Sequence, residues 1–107
     1  MNEGLKHTQG PWRNGFDGPR GIYIEAEDGT FIGYVARGHK GNTALVTAAP
    51  DLLAVALAYE EWEADLILDG DWSGDFVRMK AKQHDRMLEL QAMRNAAVRK
   101  ATGRKSP

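Results

Sequence analysis

The sequence contains no cysteine, which excludes disulfides and thiolate metal ligands. It has only three histidines in 107 residues, and no Walker, His-Glu-x-x-His or Gly-x-Ser-x-Gly pattern. The first twelve residues lack the apolar stretch of a signal peptide, and no window approaches the roughly 18 apolar residues of a membrane span. We therefore expect a cytoplasmic, non-enzymatic protein with no cofactor, metal site or membrane contact.

The first part of the chain has the residue pattern of an antiparallel sheet. Apolar and polar residues alternate from Gly21 to Glu27, which is the period of a half-buried strand. Asp28-Gly29 then predicts a type I′ hairpin, and Thr30 to Ala36 is rich in strand-forming residues. Asp17-Gly18-Pro19 predicts an earlier turn. These signals together predict a β-meander over residues 11–37.

The rest of the chain has helical spacing. Asn42 is a candidate N-cap for a short first helix, and Pro50 predicts a break near Ala49 because proline cannot donate to a continuing helix. A main helix is expected from Pro50 to about Leu68. Apolar residues then recur in steps of three and four, which predicts a long last helix from Asp75 to about Thr102.

These elements predict a single α+β domain over residues 1–107. It consists of the meander, a C-terminal helical hairpin within residues 42–102 and a frayed tail at 103–107. A domain of this size is only marginally stable alone, which favours a homo-oligomer. The far end of the last helix is expected to pack on another subunit or to extend into solvent. The residues predicted at an interface are Trp72, Arg78, Met87 and Leu90.

The formal net charge of -1 conceals two oppositely charged segments. Residues 49–75 contain eight acids and no Lys or Arg, whereas residues 76–107 contain nine bases and two acids. One interpretation is that the acidic helix lies against the basic helix, within one chain or between chains. Another is that the basic helix contacts phosphates, although the acidic neighbour argues against a nucleic-acid partner. The eight acids are Asp51, Glu60, Glu61, Glu63, Asp65, Asp69, Asp71 and Asp75.

A basic, glycine-containing loop joins the sheet to the first helix. Unpaired N–H groups at a helix start, together with nearby cations, form an environment that favours an anion. Two aromatic residues on the preceding strand are predicted to stack on a base. A capped loop with solvated cations is the simpler alternative. The predicted ligand-binding residues are Phe31, Tyr34, Arg37, His39, Lys40, Asn42 and Thr43.

Two segments resemble small accessory proteins of tailed phages and prophages. His7 to Trp12 (HTQGPW) is similar to their HTPGPW opening, and Asn42 to Leu53 (NTALVTAAPDLL) is similar to their NARLIAAAPDLLEAL segment. The plan of a small sheet followed by helices also resembles the Thoeris anti-defence sponges, oligomers that sequester cyclic ADP-ribose signals of bacterial immune enzymes. That resemblance implies that Asn42 hydrogen-bonds the ligand, Phe31 or Tyr34 stacks on its base and Arg37 holds phosphate.

The resemblance implies an accessory binding protein in the host cytoplasm that sequesters a small nucleotide immune signal. One alternative is a protein–protein inhibitor of a host defence complex, of the anti-CRISPR type, that uses its acidic surface as a nucleic-acid mimic. The other alternative is a structural or assembly accessory protein that acts through its last helix. The partner is accordingly a small nucleotide, a host defence protein or only a second copy.

Overall fold

The computed structural model describes residues 6–38, 40–74 and 76–104, so the end of the predicted tail, 105–107, lies outside it. It confirms the predicted α+β fold, in which a three-stranded antiparallel sheet precedes two helices. The strands are β1 (Trp12–Gly18), β2 (Gly21–Ala26) and β3 (Phe31–Val35), in the order β1-β2-β3.

The alternation in β2 gives the sheet two different faces. The inner face is defined by Ile22, Ile24 and Ala26, of which Ile24 and Ala26 are buried. The outer face is defined by Tyr23 and Glu25, which are only partly covered. Because neighbouring side chains of a strand point to opposite faces, this difference follows directly from the period of two in the sequence.

The β2–β3 hairpin forms where it was predicted, but the turn is not type I′. Type I′ needs a positive φ at both central residues, and among the described residues only glycines have one. Here the N–H of Gly29 donates to the carbonyl of Ala26 (2.9 Å), with Gly29 at φ 91°. Hydrogen bonds from the hydroxyl and backbone N–H of Thr30 hold the turn and lower the pKa of Asp28.

Helix α1 spans Lys40–Asp69 without interruption, so the predicted break near Ala49 is wrong. Pro50 lies inside the helix and is buried. It removes one helical hydrogen bond, but packing holds the flanking turns in place. Gly10 lies so close that a Cβ built on it would be 2.8 Å from two carbons of Pro50. The prediction that Asn42 is the N-cap is also wrong, because Asn42 is the third residue of α1.

The start of the predicted last helix instead forms the strand β5 (Phe76–Arg78), which pairs with β4 (Asp71–Ser73) in a small hairpin. Aromatic and β-branched residues on both sides of Gly74 favour paired strands over a helix here. Helix α2 therefore begins later than predicted and spans Ala81–Thr102. Its start is held by Gln83, whose side chain accepts a hydrogen bond from the N–H of Lys80 (2.8 Å).

The buried apolar core is small and lies in two adjoining places. One part is between the inner face of the sheet and α1, and the other is between α1 and α2, which pack along each other. Helix α2 ends at Thr102, where its end was predicted, and is followed by Gly103 at φ 70°. The buried apolar side chains are Ile24, Ala26, Ala48, Pro50, Val55, Leu90 and Ala97.

Because α1 continues through Pro50, it is longer than the sequence indicated. By length and composition alone it could cross a membrane, with an 18-residue window of mean hydropathy 1.3. Of that window, 28% is buried inside the chain. The helix also contains Asp51, whose carboxylate contacts Lys100 of α2 at 2.7 Å. This ion pair and the shared core hold α1 against α2.

Candidate functional site

An open cavity of about 730 Å³ lies between the inner face of the sheet and the first half of α1. Its volume is within the range of roughly 300–1,000 Å³ that is typical of small-molecule sites. Strands β1 and β2, helix α1 and the end of α2 all contribute to its wall. The lining residues are Pro11, Trp12, Arg13, Asn14, Ile22, Lys40, Thr43, Ala44, Thr47 and Lys100.

The lining of this cavity carries positive charge and no acid. Lys40 stands at the start of α1, and no ion pair to it occurs within the described residues. Lys100 reaches the cavity from α2 while its Nζ lies 2.7 Å from Asp51. Arg13 is also part of the lining, but its guanidinium lies on the outer face, where its Nε is 3.1 Å from Glu25. The basic side chains that reach the cavity therefore come from α1 and α2, and Lys40 favours an anion there.

Thr43 presents a buried hydroxyl without a partner. The residue is 8% exposed, and its Oγ1 makes no hydrogen bond to any described residue. Thr47, one turn later, is also buried, but its hydroxyl donates to the carbonyls of Thr43 and Ala44 at 3.0 Å. A buried polar atom without a partner costs about 1–3 kcal/mol, so a ligand that supplied a partner would recover this energy.

Trp12 adds an indole to the same cavity. It is paired in register with Ala26, and Asn14 with Ile24, so both belong to the inner face. The indole Nε1–H donates to the carbonyl of Thr8 (3.1 Å), which fixes the orientation of the ring. The segment leading into β1 is held against α1 by the close approach of Gly10 to Pro50. This contact brings residues 7–12 and the first half of α1 together.

Only some of the predicted ligand-binding residues lie at the cavity. Lys40 and Thr43 both line the cavity. Asn42 is exposed on α1 outside the lining, and Arg37 is paired with Asp17 at the edge of the sheet. His39 lies outside the described residues.

Phe31 and Tyr34 belong to an aromatic cluster on the outer face, away from the cavity. Tyr34 pairs in register with Tyr23, and the ring of Tyr23 contacts those of Phe16, Phe31 and Tyr34 at centroid distances of 5.1, 5.3 and 5.9 Å. Because the alternation places this cluster opposite Ile22, the two rings cannot stack on a ligand that Thr43 contacts. We call these four residues, Phe16, Tyr23, Phe31 and Tyr34, the aromatic cluster.

Several lining residues were not among the predicted site residues. Trp12 is the last residue of the HTQGPW segment, which was the available signal, and Arg13 and Asn14 follow it in β1. Lys100 had no sequence signal, because only the packing of α2 on α1 brings it to the cavity. Among the described residues, no three His, Asp or Glu side chains converge in a way that could hold a metal ion.

The oppositely charged helices meet within one chain, which favours the intrachain form of the predicted charge pairing. Asp51 pairs with Lys100, and Asp69 lies 3.1 Å from Lys80 and 3.4 Å from Lys82. The hydrogen bond and charge of Lys80 lower the pKa of Asp69, with a smaller effect from Lys82. The interaction of α1 with α2 thus occupies part of the acidic surface that a nucleic-acid mimic would need.

Gln83 joins the two helices at their other end. It is 1% exposed, and its side-chain amide donates to the Asp65 carboxylate (3.0 Å). The backbone carbonyl of Gln83 accepts a hydrogen bond from the indole N–H of Trp62 (2.8 Å). Because all of these groups lie between α1 and α2, they fix how the two helices lie against each other.

The four residues predicted at an interface lie in different environments. Trp72 is 49% exposed and donates its indole N–H to the carbonyl of Ile67 (3.0 Å). Arg78 is exposed and Met87 is half-buried. Leu90 is 0% exposed and packs between the helices, so a partner could contact it only if α1 and α2 separated.

The fold and the cavity define a small α+β protein with an open, cation-lined pocket. The family model of Salmonella phage P22 protein Y8K6 matches residues 1–105, nearly the whole chain. The chain therefore belongs to this phage protein family. No curated protein and no solved structure matches it.

Proposed function

We propose that this phage protein binds a small phosphate-bearing ligand of the nucleotide class in the inner-face cavity and does not change it chemically. In the setting of infection, such binding would sequester a nucleotide immune signal, for example a cyclic ADP-ribose. The observation that carries the proposal is the buried hydroxyl of Thr43, which has no partner among the described residues, in a cavity whose described lining includes basic side chains and no acid.

Each lining group corresponds to one part of a nucleotide. Lys40 and Lys100 can hold phosphate oxygens by charge-assisted hydrogen bonds. The Thr43 hydroxyl can bond a ribose hydroxyl or a phosphate oxygen, since it both donates and accepts. The indole of Trp12 supplies an apolar face for a base, which would replace the role first predicted for Phe31 and Tyr34.

Binding without catalysis is supported by the chemistry of the wall. Among the described residues, the lining includes no His, Asp or Glu, the side chains that most often act as general acid or base. Within that part of the chain the two threonines are not placed beside such a base, and a hydroxyl without one is a weak nucleophile. The cavity is also open to solvent, whereas hydrolytic sites gain much of their effect from excluding water.

Calorimetry and thermal unfolding with three ligands would test the proposal. The ligands are cyclic ADP-ribose, inorganic phosphate and adenosine, and we expect the first to bind most tightly. At 100 times its dissociation constant it should add about 2.7 kcal/mol to the free energy of unfolding. The proposal fails if no phosphate-bearing ligand binds, or if adenosine binds as tightly as cyclic ADP-ribose.

A matched pair of lysine variants tests the site itself. Lys40→Met removes a cation from the cavity, whereas Lys82→Met removes the same charge from the Asp69 pair at the start of α2. We expect the first variant to weaken cyclic ADP-ribose binding about tenfold or more and the second to leave it unchanged. An equal loss in both would mean that only overall charge matters and would contradict the assignment of this cavity.

A further inference from the structure

The outer face of the sheet carries the aromatic cluster, and no described residue of the chain covers it. Phe16 is 64% exposed, Phe31 51% and Tyr34 42%. Both helices pack elsewhere, because α1 lies on the inner side and α2 lies on α1. Apolar rings in one contiguous patch of this kind mark a contact surface in soluble proteins.

The orientation of the rings argues against a stacked base or sugar as the occupant. The rings of Phe16 and Tyr23 are stacked, with an interplanar angle of 12° and a centroid distance of 5.1 Å, so one face of each ring is covered by the other ring. Phe31 and Tyr34 are tilted by 59° at 5.3 Å. A stacking ligand needs ring faces that lie open to solvent, but this arrangement uses ring faces within the cluster. An apolar protein surface is the better match.

An ion pair stands beside the aromatic cluster. Arg13 is paired in register with Glu25 on the outer face, and its Nε lies 3.1 Å from the Glu25 carboxylate. This arginine is neutralised locally, so the face has little attraction for a polyanion such as nucleic acid. A rim with both signs of charge can, however, meet its own copy across a two-fold axis, where each acid faces the partner's base.

The surface area of the chain also indicates a second copy. The chain exposes 8026 Å², whereas a compact monomer of 11.8 kDa should expose about 5,900 Å². Its radius of gyration is 17.9 Å, against about 13 Å for a compact domain of this length. The excess area is more than the roughly 800 Å² that each partner contributes to a standard interface.

From these observations we infer that two copies of the chain dimerise through the aromatic cluster, with the outer faces of their sheets packed together and the ion pairs at the rim. The inner-face cavities then lie on the outside of the dimer and stay open. The inference rests on the outer face alone and holds whether or not the cavity binds a nucleotide.

Sedimentation velocity of the full chain over a wide concentration range tests this inference. We expect a species of twice the chain mass, which dissociates on dilution. Phe31→Thr combined with Tyr34→Thr keeps strand-forming residues but removes two rings, and should raise the dimer dissociation constant at least about tenfold. Leu57→Gln, which removes a 50%-exposed apolar side chain from α1, should leave it unchanged.

The inference is overturned if the wild-type chain is a monomer throughout. It is also overturned if Leu57→Gln weakens the dimer and the ring variant does not, since α1 would then be the interface. Single-cysteine variants give a second test that does not depend on the folding of the double variant. The chain has no cysteine of its own, so a short bismaleimide should join Phe31→Cys into dimers and leave Leu57→Cys monomeric. The reverse pattern would contradict the inference.

Discussion

The two faces of the three-stranded sheet differ in which side chains they leave without a partner. The inner face leaves a cavity with basic side chains and the unpartnered hydroxyl of Thr43. The outer face leaves three exposed rings, and its arginine, Arg13, is already paired with Glu25. The inner face therefore suits a small anion and the outer face an apolar partner. Adjacent residues of β2, such as Ile22 and Tyr23, serve these different surfaces because of the period of two.

The largest expected effect is a difference in stability loss between a substitution in the core under the inner face and one in the aromatic cluster. Ile24→Ala removes a side chain that is 0% exposed and should lower the free energy of unfolding by about 2–5 kcal/mol. Phe31→Ala should cost less than half of that in dilute protein, because half of the ring is already in water. Urea unfolding measures both. Equal losses would mean that the outer cluster is a second core.

The next effect concerns the contact that holds the segment before β1 against α1. In Gly10→Ala the new Cβ would be 2.8 Å from two carbons of the Pro50 ring, so β1 and α1 must move apart. We expect a loss of about 1–3 kcal/mol in stability and weaker ligand binding. Gly33→Ala is the control, since its Cβ would meet nothing within 4 Å. Denaturation curves that show the same loss for both variants would rule out this role of Gly10.

A pair of isosteric variants sharpens the assignment of the inner face. Thr43→Val removes the unpartnered hydroxyl and should raise the free energy of unfolding by about 1 kcal/mol, while ligand binding weakens. Thr47→Val removes a hydroxyl that donates to two carbonyls and should lower stability by about 0.5–1.5 kcal/mol. Opposite signs in thermal unfolding are the expected result. A loss of stability in both variants would show that the Thr43 hydroxyl has a partner in solution.

The smallest effect tests the position of Asn42. An N-cap asparagine should cost about 1 kcal/mol on change to alanine. Because Asn42 is exposed on the third residue of α1, Asn42→Ala should instead change stability by no more than about 0.5 kcal/mol, in the stabilising direction. Calorimetric melting of the ligand-free protein measures this change in stability. A loss of about 1 kcal/mol would show that Asn42 acts as the N-cap after all.

The elements that could be predicted were those set by local pattern. The β2–β3 hairpin follows from alternation and a glycine turn, and the α+β order follows from the change of period along the chain. The continuity of α1 through Pro50 could not be predicted, because it depends on packing against Gly10. The β4–β5 hairpin was missed because its apolar residues also fit a helical spacing.

The candidate site was predicted only in part. Lys40 and Thr43 were found because they belong to the loop and helix start that a local argument can reach. Lys100 was missed, because no local pattern indicates where the end of α2 lies. Phe31 and Tyr34 were grouped with them by closeness in sequence, although strand alternation alone could have placed them on the other face.

The central claim, that the inner-face cavity is the ligand site, can be tested by one NMR titration. The chain has three tryptophans, and each indole N–H donates to a different carbonyl, those of Thr8, Gln83 and Ile67. On addition of cyclic ADP-ribose, the account predicts that the indole signal of Trp12 shifts while those of Trp62 and Trp72 stay in place. An unmoved Trp12 signal, or shifts at Trp62 or Trp72 instead, would contradict it.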